Sequence, residues 1–126
     1  MQPIDTKDAP AAIGPYSQAT RAGGLVFVSG QIPLDPATGQ IVPGDVAAQA
    51  ERVLRNIEGI LRAAGCGFAD VARTTIYLVD LAHFAIVNDV YARFFAAPYP
   101  ARVTVQVSAL PRGALVEIDA IATARG

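Results

Sequence analysis

One cysteine, one histidine, one lysine and no tryptophan make a short supply of chemistry for 126 residues. Cys66, alone, rules out an intramolecular disulfide framework, and with His83 as the only histidine there is no ligand set for a structural zinc site. A reducing compartment follows. Cys66 reads as a small apolar residue or an incidental thiol just after a helix, and His83 as a surface or helix-terminal residue. Common catalytic motifs are also missing: there is no Walker-type glycine loop, no GxGxxG, no HExxH and no second histidine to complete a triad. Charge is sparse and balanced, with 10 basic and 11 acidic residues and a formal net of -1. Such a chain has no field to draw in a polyanion or an anionic membrane, so nucleic acid is disfavoured as a main partner. No apolar run approaches 18 residues, and Met1 to Asp8 lack a basic region followed by an apolar one. The expectation is a soluble, cytoplasmic protein without membrane association.

What is present is apolar. Hydrophobic residues make up 52% of the chain and charged residues 17%, against a typical quarter for charged residues in globular domains. Alanine on exposed helix faces accounts for part of this excess, and contact with another copy of the chain is expected to account for the rest. The length suits one domain over residues 1–126, and no linker, repeat or low-complexity tract divides it. From Asp45 to Ala64, apolar residues at Ala50, Val53, Leu54, Ile57, Ile60, Leu61 and Ala64 follow helical spacing. Asp45 suits the N-cap and Gly65 the left-handed end, with Glu51/Arg55 and Glu58/Arg62 one turn apart on the wet face. A second helix is expected from about Ala82 to Ala96, with Phe84, Val87, Tyr91, Phe94 and Phe95 as its apolar stripe and Pro98 as its stop. Asp35-Pro36-Ala37-Thr38-Gly39 reads as a turn.

Strands are expected over Leu25–Ser29, Val71–Val79, Ala101–Ala109 and Leu115–Thr123, from their β-branched content and alternation. The last two each carry an apolar and a polar face. Joined as a hairpin through Leu110 to Gly113, they would set Gln106 opposite Glu117 and Thr104 opposite Asp119. A sheet with two helices on its apolar face is an α+β design.

On that polar face Arg102 follows Pro100 and Ala101, with no carboxylate close to it in sequence. A guanidinium fork suits a planar carboxylate, either of a ligand or of Glu117 or Asp119 in a salt bridge. Glu117 is equally readable as a general base or as that salt-bridge partner. The hairpin register sets Arg102 at Ile121, so Glu117 falls four residues, roughly 13 Å, along the neighbouring strand. One chain's hairpin does not join them, and a site using both needs an adjacent copy. Tyr16, after Gly14 and Pro15, is either a packing residue or a phenol that reaches a polar ligand. Ser29 and Gly30 end a strand where glycine permits close backbone approach.

Taken together, Ala11 to Ala19, Ser29-Gly30-Gln31-Ile32-Pro33, Thr75 to Asp80 with Phe84, Asn88, Tyr91 and Phe95, Pro100-Ala101-Arg102, and Leu110-Pro111 leading to Glu117 through Ala122 resemble the RidA (YjgF) family of imine and enamine deaminases. The resemblance spans nearly the whole chain. It implies a chorismate-mutase-like α+β fold, a mixed sheet with two helices on one face, assembled as a homotrimer with ligand clefts between subunits. It further implies that Arg102 grips the carboxylate of a 2-imino acid such as 2-iminobutanoate or 2-iminopropanoate. Glu117 would orient and activate the attacking water, with Tyr16, Ser29, Gly30 and Asn88 lining or supporting the pocket. No metal or other cofactor is implied, because an imine carbon is already electrophilic. Thr104 stands where many bacterial members carry cysteine, which puts the preferred substrate side chain in question. The same residues also suit a non-catalytic 2-oxo-acid-binding or holdase-like trimer, or hydrolysis of an aminoacrylate-type or carbamate intermediate. The ribonuclease activity reported for some relatives is weighed against by the balanced charge, the single lysine and the lack of a histidine pair.

Overall fold

The computed structural model describes residues 1–125. Helix α1 (Val46–Ala63) starts at Asp45, whose Oδ1 accepts the Ala48 N–H at 3.0 Å. The seven apolar residues expected on its inner face are all buried, and Gly65 turns the chain beyond it at φ 76°. The expected Glu51/Arg55 pair is replaced: Glu58 takes both Arg55 at 3.2 Å and Arg62 at 3.9 Å, while Glu51 reaches Arg93 at 3.5 Å. Helix α2 (Phe84–Tyr91) is shorter than the expected 82–96 and follows a single tight turn at Leu81–His83. After Tyr91 the bonding changes to the tighter i→i+3 pattern, with Arg93 N–H to Val90 and Phe94 N–H to Tyr91, each at 3.0 Å. That winding lets Phe94 and Phe95 meet Phe68 at ring-centroid distances of 5.6 and 4.9 Å.

Six strands form one sheet: β1 (Gln2–Ile4), β2 (Ala19–Ala22), β3 (Leu25–Gln31), β4 (Val71–Leu78), β5 (Ala101–Gln106) and β6 (Val116–Thr123), in the order β1-β2-β3-β6-β4-β5. The sheet is mixed, because β4 and β5 run parallel and every other neighbouring pair is antiparallel. With the two helices this is an α+β fold, as the sequence predicts. The expected β5–β6 hairpin is not formed. Instead β4 lies between them, pairing Thr74 with Arg102 on one side and Tyr77 with Glu117 on the other. The cause is the helix between β4 and β5: a connection of that length returns the chain to the same end of the sheet, so the two strands pair in parallel. Leu110 to Gly113 then forms no strand-to-strand loop but a short 3₁₀ turn over Pro111–Gly113.

This topology reverses the expected facing of β5. Residues paired across strands share a face, so Arg102 and Thr104 lie on the same side as Thr74 and Ile76, towards the helices. Val103 and Val105 point away, at 40% and 38% exposed, beside Phe27 at 40% and the half-buried Tyr77 and Ile121. Helix α1 covers the opposite face, lying on β3 and β6 with α2 at its side. There Val26, Val28, Ile76, Leu78, Val116 and Ile118 are buried in the core.

Between β1 and β2 the chain from Thr6 to Pro10 is gathered by one side chain. Gln18 is buried; its amide nitrogen lies 3.0, 3.2 and 2.8 Å from the carbonyls of Thr6, Ala9 and Pro10, and its Oε1 accepts the Thr6 N–H at 2.7 Å. Gln18→Leu is expected to leave those groups unpartnered and cost about 2–3 kcal/mol of stability. Urea unfolding at fixed protein concentration measures this, and an unchanged midpoint would mean that the segment is held by other contacts.

Candidate functional site

Arg102 opens β5 at the sheet edge, and three side chains hold it. Its Nη1 donates to Asn88 Oδ1 at 2.8 Å, and its guanidinium lies 5.0 Å from the ring centre of Tyr91 and 5.5 Å from that of Phe84. All three come from α2 at positions one turn apart, which puts them on one side of the helix. Tyr91 is fixed in turn by a 2.8 Å hydrogen bond with Thr74, the buried neighbour of Arg102 across the β4–β5 pairing. Burial pushes the Tyr91 phenol up, against the opposing effects of Thr74 and the Arg102 charge. Among the described residues no carboxylate forms an ion pair with Arg102. The result is an exposed cation, oriented by an amide and two rings, at the wall of a cleft of about 480 Å³ shared with Tyr99 and Pro100. It is a geometry that receives an anion. Thr104 sits two residues along the same strand face, with its Oγ1 buried and without a protein partner.

Glu117 is elsewhere. It lies on the uncovered face of the sheet, two strands away from β5, directly across from Tyr77. Its carboxylate rests on the backbone of Gly30, where an added Cβ would fall 2.1 Å from Oε2. A side chain at position 30 would therefore displace the Glu117 carboxylate from this place. Half-buried, Glu117 has its carboxyl pushed above the ordinary glutamate range, first by burial and then by the neighbouring Asp119 charge. Gly30 and Tyr16 line a second cleft of about 270 Å³ with Arg112. The Tyr16 ring is exposed, and its hydroxyl accepts the Ile13 N–H at 3.4 Å. Ser29 Oγ donates to the Ser17 carbonyl at 2.6 Å, a bond that ties β3 to the segment before β2.

The sequence-predicted residues thus fall into two groups. Arg102, Asn88 and Thr104 stand on the helix side at one edge, and Glu117, Gly30, Tyr16 and Ser29 gather around β3 and β6. The common polar face expected for Arg102 and Glu117 is corrected: they occupy opposite faces of the sheet. Sequence reasoning places Phe84 and Tyr91 only in a packing stripe and gives Thr74 no role. Their service to Arg102 depends on the parallel β4–β5 register.

The family described as Endoribonuclease L-PSP matches residues 6–124. A curated relative, protein DfrA of Myxococcus xanthus, is 61% identical over 121 residues, covering 94% of this chain and 92% of the relative. The 2-iminobutanoate/2-iminopropanoate deaminase of Bos taurus is 53% identical over 119 residues, 94% of this chain and 87% of that protein. Among solved structures, TdcF of E. coli with bound serine superposes at a TM-score of 0.94, with 46% identity and 100% of both chains covered. The chain belongs to the RidA (YjgF) family. For this RidA chain the contact between Gly30 and Glu117 gives a direct test. In a crystal structure of Gly30→Ala, the Glu117 carboxylate is expected to have left its place against residue 30. A carboxylate that keeps that place would show that the strand yields instead.

Proposed function

We propose that this RidA protein hydrolyses reactive 2-imino and enamine acids, with 2-iminobutanoate and 2-iminopropanoate as substrates, to 2-oxo acids and ammonia. The observation that carries the reading is the Arg102 guanidinium, oriented by Asn88, Tyr91 and Phe84 and free of any described carboxylate. It suits a small substrate carboxylate, held by a bidentate pair. The name of the bovine relative supports the reaction class. The serine bound to TdcF, an amino acid with a free carboxylate, supports the kind of ligand.

In this reading the working site is completed between copies of a homotrimer in the cytoplasm. The bare apolar face of the sheet, with Phe27, Val103 and Val105, supports the assembly. The positions of Arg102 and Glu117 on opposite faces favour a site that takes the arginine of one copy and the glutamate of another. Arg102 fixes the carboxylate, which holds the adjacent imine carbon in place. Water adds to that carbon as Glu117 takes its proton, giving a carbinolamine. Return of that proton to nitrogen, then loss of the hydroxyl proton to Glu117 as the C=O forms and the C–N bond breaks, release ammonia and leave the 2-oxo acid. Positioning supplies most of the effect, so no metal or redox cofactor is called for. Tyr16 and Gly30 line the glutamate side, Asn88 and Thr104 the arginine side, and Ser29 supports the first.

The test is release of 2-oxobutanoate and ammonia from 2-iminobutanoate generated in situ. Arg102→Ala is expected to lower kcat/KM at least about 100-fold, the loss associated with removing a charged anchor, while the assembly stays at about three times the 13.1 kDa chain mass. A variant that keeps most activity would refute the carboxylate anchor. Binding of 2-oxobutanoate without any acceleration would favour the non-catalytic acid-binding trimer. The activity is also expected to fall as pH drops through the raised Glu117 value. The base is lost when its carboxyl is protonated, so the acid limb of kcat/KM lies above the ordinary glutamate range. An acid limb at or below that range would remove Glu117 from the proton-accepting role.

A further inference from the structure

Beside Glu117 on the uncovered face stand two groups that the proposed reaction does not use. Tyr77 is the direct cross-strand partner of Glu117 in the β4–β6 pairing, and side chains in such pairs are normally within contact. Its hydroxyl nonetheless turns to the diagonal neighbour, donating to Asp119 Oδ2 at 3.0 Å. Among the described residues none donates a hydrogen bond to the Glu117 carboxylate, which rests against the Gly30 backbone. The hydroxyl of its cross-strand partner is therefore committed to a second carboxylate on the same strand face.

We propose that Asp119 and Tyr77 form a positioning pair that withholds a donor from Glu117 and keeps its carboxylate a better proton acceptor than an isolated glutamate. The proposal rests on the reading of Glu117 as the water-activating base and adds what sets its basicity. Two features make the arrangement directional. Asp119 places a like charge about 7 Å along the strand, which disfavours ionisation of Glu117. Tyr77 holds that charge in place and cannot at the same time stabilise the Glu117 anion. The pushed-up Glu117 carboxyl, with Asp119 as its second cause after burial, agrees with this arrangement. The remaining groups do not supply the effect: Thr75, the cross-strand partner of Asp119, is neutral, and Arg102 of another copy, which the proposed site brings to Glu117, acts in the opposite sense. Arg73 from β4 pairs with Ile121, four residues from Glu117 and roughly 13 Å away. Phe27 of β3 and Val103 and Val105 of β5 are neutral. Tyr16 and Arg112 stand beyond Gly30, around the neighbouring cleft.

Glutamate occurs only at positions 51, 58 and 117, so ¹³C-carboxyl glutamate labelling gives a three-line NMR spectrum in which Glu117 can be titrated in the assembled protein. Asp119→Asn is expected to lower the Glu117 midpoint by about 0.5–1.5 pH units, the range a charge about 7 Å away gives between protein-like and water-like screening. Tyr77→Phe is expected to leave it unchanged or raise it, because Asp119 keeps its charge and loses its donor. An unmoved midpoint in Asp119→Asn, or a fall in Tyr77→Phe matching that variant, overturns the proposal. If Asp119→Asn does not assemble, Tyr77→Phe decides alone: a midpoint unchanged or raised supports the proposal, and a fall overturns it. The pH profile of kcat/KM separates this inference from the one beneath it. When the NMR midpoint and the acid limb fall together, both stand. When the midpoint falls and the limb does not, the pair tunes Glu117 as proposed, and Glu117 is not the base.

Discussion

A sheet has two faces, and this chain has helices for only one. Helix α1 lies on β3 and β6 with α2 at its side, and against them the alternate residues of the inner strands are buried. The other face is left with Phe27, Val103 and Val105 well exposed, and with Tyr77, Glu117 and Asp119 half-buried among them. Burying that face against a second copy removes apolar area from water, and the same step dehydrates the carboxylates that lie on it. On the proposed function, assembly and chemistry are therefore linked by one surface.

The two groups of the proposed site are prepared by opposite means. Arg102 is exposed and is held in place from outside, by the amide of Asn88 and the rings of Tyr91 and Phe84, so its charge is oriented without being neutralised. Glu117 lies where space is short and donors are few: its carboxylate rests against the Gly30 backbone, and the hydroxyl of its cross-strand partner Tyr77 goes to Asp119. An anchor works best when its charge is retained, and a base works best when its anion is not over-stabilised. On the proposed function so sparse a site is sufficient, because the reaction asks for little beyond an anchored carboxylate and one proton acceptor.

Much of this was legible before any coordinates. The three-and-four spacing from Ala50 to Ala64 located α1, with Asp45 and Gly65 marking its ends, because a long amphipathic helix repeats its signal many times. The alternation of Val116, Ile118, Ala120 and Ala122 gave the buried face of β6 correctly. The same pattern misled on β5, where Val103 and Val105 look like core and face away from it. Alternation reports that a strand has two unlike faces, not which of them the helices cover. The helix between β4 and β5 was itself evidence for a parallel pair, and it outweighs the short Leu110–Gly113 segment that suggested a hairpin. Strands β1 and β2 escaped notice because three or four residues carry too little alternation to read. At the site, Arg102 and Glu117 stand out by residue type and Gly30 as a point of close backbone approach, while Thr74 and Tyr77 acquire their meaning only from register and contact.

The central claim is that one site draws its arginine and its glutamate from different copies. Co-expression of Arg102→Ala with Glu117→Gln, under two affinity tags so that mixed assemblies can be isolated, tests it most directly. Each variant alone is inactive on this account, and isolated mixed trimers regain about a third of the wild-type rate, because one of their three clefts pairs an intact arginine with an intact glutamate. Mixed assemblies as inactive as their parents would contradict the account, since they would require both groups to act from the same chain.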